Sequence, residues 1–290
     1  MKNLLLPSIL SAALALASTL HAADAPKPLK ILLITGGCCH DYTAQKDILK
    51  AGLEARANVL VDQIHTEDKT TKPPLPIFGN ADYAKGYDLV IHDECAADIK
   101  EPAVIQGVLK PHQDGTPGVN LHCAMHSYRF GEFQQPVAVG ADNAHWYEYL
   151  GLQSSAHGPK EPIAITFSAR DSAITKGLAD WTTINEELYN NIQILTGKGI
   201  ASGKQTQPVK TKGPDGKPVA AGTKEVESVV AWTNEYGPKK TRVFSTTIGH
   251  NNETVADARY LDLVTRGVLW ATNHLNDDGT PAKGFGPGGK

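Results

Sequence analysis

Apolar residues along this chain come in two rhythms. Lys30 to Thr35 is a short, nearly continuous apolar run halted by Gly36 and Gly37, the pattern of a buried strand, and Gln45 to Ala57 spaces its apolar residues as an amphipathic helix does. Val59 to Ile64, Tyr87 to His92 and Gly118 to Leu121 repeat the strand pattern, with helical stretches such as Pro102 to Leu109 between them. Further on, Ile163 to Phe167, Ser228 to Trp232 and Arg242 to Ile248 read as strands. Val255 to Asn273 reads as a helix carrying Leu261, Val264, Val268 and Leu269 at helical spacing. Parallel strands need crossover connections and bury both faces, so this alternation predicts an α/β fold: a mainly parallel sheet with helices on both sides.

The ends of the chain read differently. Lys2 and Asn3 precede an apolar run from Leu4 to Leu20, and small residues at Ala22 and Ala23 suit signal-peptidase cleavage. Residues 1–23 are therefore expected to be a signal peptide and the protein to be exported, periplasmic or extracellular. A membrane anchor is the competing reading, and no later segment is apolar enough to span a bilayer. Residues 28–275 form the expected α/β domain. Within it, 198–226 is rich in Gly, Lys, Thr and Pro and reads as a polar excursion, and 276–290 reads as a disordered tail. There is no internal repeat.

A net charge of −3 over 290 residues supplies no concentrated basic surface, which removes nucleic acid as a default partner. Four cysteines, Cys38, Cys39, Cys95 and Cys123, are notable in an exported chain, where thiols tend to pair. A bridge between the adjacent Cys38 and Cys39 would be strained. Pairing of either with Cys95 or Cys123 requires the fold to bring those segments together, and the sequence leaves it open.

The candidate chemistry lies just after the apolar strands. His40 and Asp41 follow the first, His92 to Cys95 end the third, His122, Cys123 and His126 follow the fourth, and His250 follows a late strand. Ligands of open parallel sheets bind beyond the carboxyl ends of the strands, so these segments are expected to meet in one crevice. Gly36 and Gly37 allow a tight turn and close approach to a ligand. They lack the spacing of a dinucleotide fingerprint or a P-loop, so no nucleotide cofactor is implied. The run from Pro117 to His126 is laid out as strand, sharp turn and helix, the elbow that presents a nucleophile. Its chemistry stays open. Cys123 can act as a nucleophile with His250 as base, His122 with His40 and His250 can hold a divalent metal such as zinc, or Cys123 can be a small buried residue.

The ordered set Leu33 to Gly37 with His40 and Asp41, Tyr87 to Asp93, Gly118 to Ala124, Trp146 to Leu152 followed by His157, Glu187 to Tyr189, and Arg242 to His250 with Arg266 to Trp270 resembles the ThuA (trehalose utilisation) family over nearly all of the chain beyond the leader. The resemblance implies a flavodoxin-like sheet similar to that of class I glutamine amidotransferases. It also implies a role in the use of disaccharides or their 3-keto derivatives. Where those amidotransferases carry a nucleophilic Cys at the elbow and His-Pro-Glu after the late strand, this chain has His122 beside Cys123, and His250, Asn251 and Asn252. Amidotransferase activity is therefore not expected.

Three functions follow as expectations. In the first, the chain is a sugar-directed enzyme, a hydrolase, lyase or isomerase, with His122, His250, Cys123 and Glu187 as catalytic candidates. Gly36, Gly37, Asp41, Glu94, His126 and Tyr189 would contact a small carbohydrate, and His40, His122 and His250 would hold a metal. In the second it binds sugar without turnover, stacking it on Trp146, Tyr147, Tyr149, Trp181 and Tyr189. In the third, Cys123 and His250 form a hydrolase. His157 reads as a turn residue, and His65, His112, His145 and His274 as surface residues.

Overall fold

A computed structural model describes residues 26–213 and 215–289; the expected signal peptide lies outside the described residues. Nine strands form one sheet, in the order β2-β1-β3-β4-β9-β8-β7-β5-β6. These are β1 (Leu29–Gly37), β2 (Val59–Thr66), β3 (Leu89–Cys95), β4 (Gly118–Leu121), β5 (Leu152–Thr166), β6 (Trp181–Ile194), β7 (Lys198–Lys212), β8 (Pro218–Tyr236) and β9 (Thr241–Thr246). Among the helices are α1 (Tyr42–Glu54), α2 (Pro102–Gln113), α3 (His145–Leu150), α4 (Asn252–Val255) and α5 (Ala258–Ala271).

The sheet is mixed, which corrects the expectation of a mainly parallel one. Strands β2, β1, β3, β4 and β9 pair in parallel. From β9 outward, β8, β7, β5 and β6 pair antiparallel and are much longer. The polar stretch 198–226 is the centre of this difference: it supplies all of β7 and the first half of β8, joined by a short turn. Its Lys, Thr and Gly residues read as loop because the outer halves of these strands are exposed and have no buried face to impose a period-two apolar pattern.

In the parallel half both faces are covered, as expected. Ile31 and Leu33 point to one side and pack with Leu49 and Leu53 of α1 and Leu261, Val264 and Val268 of α5. Leu32 and Ile34 point to the other, with Ile105, Val108 and Leu109 of α2 and Trp146 and Tyr149 of α3. Alternate strand residues thus serve two cores, which is why the sequence shows unbroken apolar runs. Gly267 makes the α5 contact possible, since a Cβ there would collide with the Phe244 ring.

The stretch 276–289 lies within the tail, 276–290, that the sequence predicts to be disordered. It is instead folded back onto the domain: Phe285 packs against the first core, its carbonyl accepts the Asn58 amide at 3.0 Å, and Asn58 Nδ2 donates to the Gly284 carbonyl at 2.9 Å. Among the described residues no helix is long and apolar enough to cross a membrane.

Candidate functional site: a histidine and carboxylate centre

From β1 the chain crosses to β2 on one side and returns to β3 on the other, so a crevice opens beyond the carboxyl ends of β1, β3 and β4. Asp41 caps α1 and holds His40 at its entrance, its Oδ1 accepting the Ala44 amide at 3.3 Å. β4 ends at Leu121 in extended backbone, and His122 then turns sharply with φ of 41°, a left-handed conformation rare for a side-chain-bearing residue. The strained elbow residue is therefore His122, not Cys123. His250 follows β9 and is anchored from two directions. The buried Gln45 side chain of α1 donates to its carbonyl at 3.1 Å, and the buried Glu186 carboxylate accepts its amide at 3.0 Å.

These placements bring three imidazoles together. Ring centroids of His40 stand 4.7 Å from those of both His122 and His250, and the latter two are 5.5 Å apart. One nitrogen of each lies within 4.8 Å of the other two. Glu187, from β6, closes the group: its Oε2 is 3.5 Å from His122 Nε2 and 3.3 Å from His250 Nδ1.

The hydrogen-bond pattern defines what faces the centre. His122 Nδ1 is 2.6 Å from the Thr247 carbonyl, which only accepts, so Nδ1 carries a proton and Nε2 is the nitrogen left to face Glu187. His40 Nδ1, His122 Nε2 and His250 Nδ1 are all buried without a hydrogen-bond partner. Buried polar atoms are rarely left so, and a lone pair facing a carboxylate oxygen repels it unless a proton or a cation lies between. Burial first, then the neighbouring His122 and His250, pull His40 down to about 2, so its imidazole is neutral at pH 7. Burial pushes the Glu187 carboxyl up, but His122 and His250 outweigh it and hold it well below the usual carboxylate range. Three nitrogen donors and one carboxylate make a set that suits zinc or a similar divalent ion.

A cavity of about 370 Å³ opens beside this group, at the small end of ligand pockets, and Glu187, His126, His157 and Tyr189 line it. His126 stacks on Tyr189 at 4.3 Å and is held by Ser154 Oγ at 2.9 Å. On the far side of His40 a second, more polar hollow of about 500 Å³ is lined by Asp41, His250, Asn251 and Asn252.

Other expected residues fall elsewhere. Glu94 is on the opposite face of β3, fully buried, with His92 Nδ1 at 2.8 Å and the Tyr128 hydroxyl donating at 2.5 Å, and it lines neither cavity. Strand alternation explains this: His92 and Glu94 face one core while Asp93 and Cys95 face the other. His92 also contacts His112 at 3.1 Å, so His112 is a core residue rather than a surface one. Gly36 and Gly37 line neither cavity. Their φ values of 129° and 100° let β1 lie against Thr66 and the Cys95 carbonyl, where a Cβ would collide. Trp146, Tyr147, Tyr149 and Tyr189 are almost wholly buried, so none offers an open sugar-stacking face, although Tyr189 borders the cavity.

Three residues of the site were not legible as such. His157 lies in β5, partly exposed, with Nδ1 3.6 Å from Glu187 Oε1. Glu186 reads as an ordinary strand acid, yet it also accepts the Asn251 amide at 3.2 Å. Arg129 lines the cavity with its guanidinium over the Phe133 ring at 4.4 Å.

Fold and site together define an α/β protein with a buried histidine and carboxylate centre at its strand ends. Residues 30–271 match the model of the ThuA family, described as trehalose utilisation, and the chain belongs to that family. No match is found among curated proteins. Among solved structures, a ThuA-like protein from Parabacteroides merdae is similar with a TM-score of 0.56 and 18% identity, over 88% of this chain and 97% of that one. A beta-galactosidase from Rahnella sp. R3 aligns with a TM-score of 0.48 and 13% identity, over 85% of this chain and 32% of that one.

Proposed function

We propose that this protein is a sugar-directed enzyme of carbohydrate utilisation in which His40, His122, His250 and Glu187 hold a divalent metal beside the substrate cavity. Family membership supports the carbohydrate role. The observation that carries the metal is the meeting of three imidazoles, each with a nitrogen within 4.8 Å of the others and a buried nitrogen left without a hydrogen-bond partner, two of them beside the Glu187 carboxylate. A bound divalent ion would supply Lewis-acid polarisation of a sugar oxygen. Around it, the chain's own groups divide the work. His122 is held in one tautomer by the Thr247 carbonyl. His157, on the exposed side of Glu187, is placed to carry a proton to or from a sugar hydroxyl. Tyr189 borders the cavity and positions His126 by stacking on it. The two hollows meet at His40 and give room for two sugar rings, in keeping with a disaccharide or its keto derivative.

A Cys123 nucleophile has less support. Its Sγ is 2.6 Å from Cys95 Sγ, and that contact followed by burial pushes the thiol well above its ordinary range, which disfavours the thiolate. The deciding experiment is elemental analysis of chain purified without chelator, beside a His122→Ala, His250→Ala double variant. Stoichiometric zinc or another divalent metal, lost in a variant with unchanged circular dichroism, is the expected result. A wild type that is metal-free and takes up neither added zinc nor added manganese overturns the metal-assisted reading.

A further inference from the structure

The histidine centre leaves one reactive set unused. Cys38 and Cys39, at the turn after β1, are joined by a disulfide. Cys38 Sγ lies 3.3 Å from Cys95 Sγ at the end of β3, and Cys95 Sγ lies 2.6 Å from Cys123 Sγ in the turn after β4. The sulfurs come from positions 57 and 28 residues apart, so tertiary structure alone assembles them. They form a cluster graded in burial, from exposed Cys39 and half-buried Cys38 to buried Cys95 and Cys123, with the Cys38, Cys39 and Cys95 sulfurs within 4.8 Å of one another. All four also line the cavity that His126 and Glu187 line. Two free thiols in mutual contact, beside a disulfide and bordering one cavity, are each within reach of an exchange partner.

We propose that the four cysteines form a thiol–disulfide relay, a two-electron redox centre that passes oxidising equivalents from a small-molecule disulfide, through Cys38 and Cys39, to the buried pair Cys95 and Cys123. Exchange proceeds by attack of one sulfur on a disulfide sulfur through a mixed disulfide, and each sulfur here has its next partner adjacent. In the first step Cys95 sulfur bonds to Cys38 sulfur, the Cys38–Cys39 bond breaks, and Cys39 leaves with the electron pair and takes up the proton that Cys95 gives up. In the second, Cys95 is no longer a thiol, so the contact that chiefly raises Cys123 is gone. Cys123 sulfur bonds to Cys95 sulfur, the Cys38–Cys95 bond breaks, and Cys38 leaves with the electron pair and takes up the proton that Cys123 gives up. The buried dithiol has then been oxidised and the outer disulfide reduced, with no net change in electrons. An external disulfide re-forms the Cys38–Cys39 bond and is itself reduced to two thiols. Because Cys123 follows His122 directly, closure of the inner bond joins the end of β3 to the elbow of the metal candidate site.

The test starts from fully reduced protein held without oxygen, given one equivalent of oxidised glutathione, quenched in acid at intervals, alkylated under denaturing conditions, digested and weighed by mass spectrometry. The expected course is a Cys38–Cys39 bond that forms first and decays as a peptide joining Cys95 to Cys123 appears, the total staying at one bond per chain. Exposed Cys39→Ser is expected to slow the inner bond at least tenfold. Cys123→Ser is expected to accumulate the Cys38–Cys95 mixed disulfide, and Cys123→Ala serves if the serine variant does not fold. The proposal is overturned by a Cys38–Cys39 bond that persists while Cys95 and Cys123 are fully alkylated. It is equally overturned by an inner bond that forms at the same rate in Cys39→Ser. Zinc or copper that departs with Cys95→Ser but not with His122→Ala would make the cluster a metal site instead.

Discussion

The carboxylate of Glu186 accepts the backbone amides of both His250 and Asn251, at 3.0 and 3.2 Å, and so ties strand β6 to the turn that presents the late histidine. Glu186 and Glu187 are neighbours in sequence with different tasks. The first fixes where His250 stands, and the second faces its ring.

Removing the Glu186 side chain leaves two amides without their acceptor in a largely buried setting. Glu186→Ala is expected to cost about 1–3 kcal/mol of stability. It should also weaken metal retention, because the His250 turn is released. Denaturant titration beside metal analysis checks both. An unchanged midpoint would show that the turn is held by other contacts, chiefly Gln45.

Glu187→Gln keeps the shape of the side chain and removes the charge that the imidazoles face. Metal retention is expected to fall on the order of tenfold or more, as for loss of a carboxylate at or beside a metal site. Circular dichroism should not change. Equilibrium dialysis against zinc measures it, and wild-type affinity in the variant would remove Glu187 from the centre.

His112 supplies a pH dependence away from the site. Burial, then the neighbouring His92, lowers it from 6.5 to about 3, so the folded state binds its proton less tightly than the unfolded chain does. The unfolded state thus gains protons first on acidification, and stability is lost as pH falls from about 6.5 towards 3. Thermal melts of wild type and His112→Gln should diverge over that window. The wild type is expected to lose more on acidification, and parallel curves would refute the assignment.

Gly37 sits at φ 100° with the Cys95 carbonyl where a Cβ would be. Gly37→Ala should cost about 1–3 kcal/mol from backbone strain alone. It should also loosen the register of β1 against β3. The denaturation midpoint is the readout, with alkylation of Cys95 by an added reagent expected to become faster.

The buried strands β1, β2, β3, β4 and β9 and the helices α1, α2 and α5 could all be read from apolar periodicity, because each buries a face against a core and the pattern records it. So could the positions of His40, His122 and His250, since residues that follow parallel strands share one rim. In the antiparallel half only Ile163 to Phe167 at the end of β5 and Ser228 to Trp232 in β8 could be read as strand, while β6, β7 and the outer part of β8 could not. Strands β7 and β8 stabilise one another mainly by backbone pairing, which leaves little trace in side-chain type. Nor does a strand sequence state which residues share a face with the site once bulges shift the register, as they do between His157 and Lys160 in β5. That is why Glu187 was seen but Glu186 and His157 were not, and why Glu94 was assigned to the wrong side of β3. The sequence by itself determined the family, the parallel core and the three histidines, through local periodicity and order along the chain. Only the tertiary structure decided the mixed sheet, the carboxylate that faces those histidines and the clustering of four sulfurs. Each of these depends on contacts between segments far apart in sequence, and no local pattern encodes that distance.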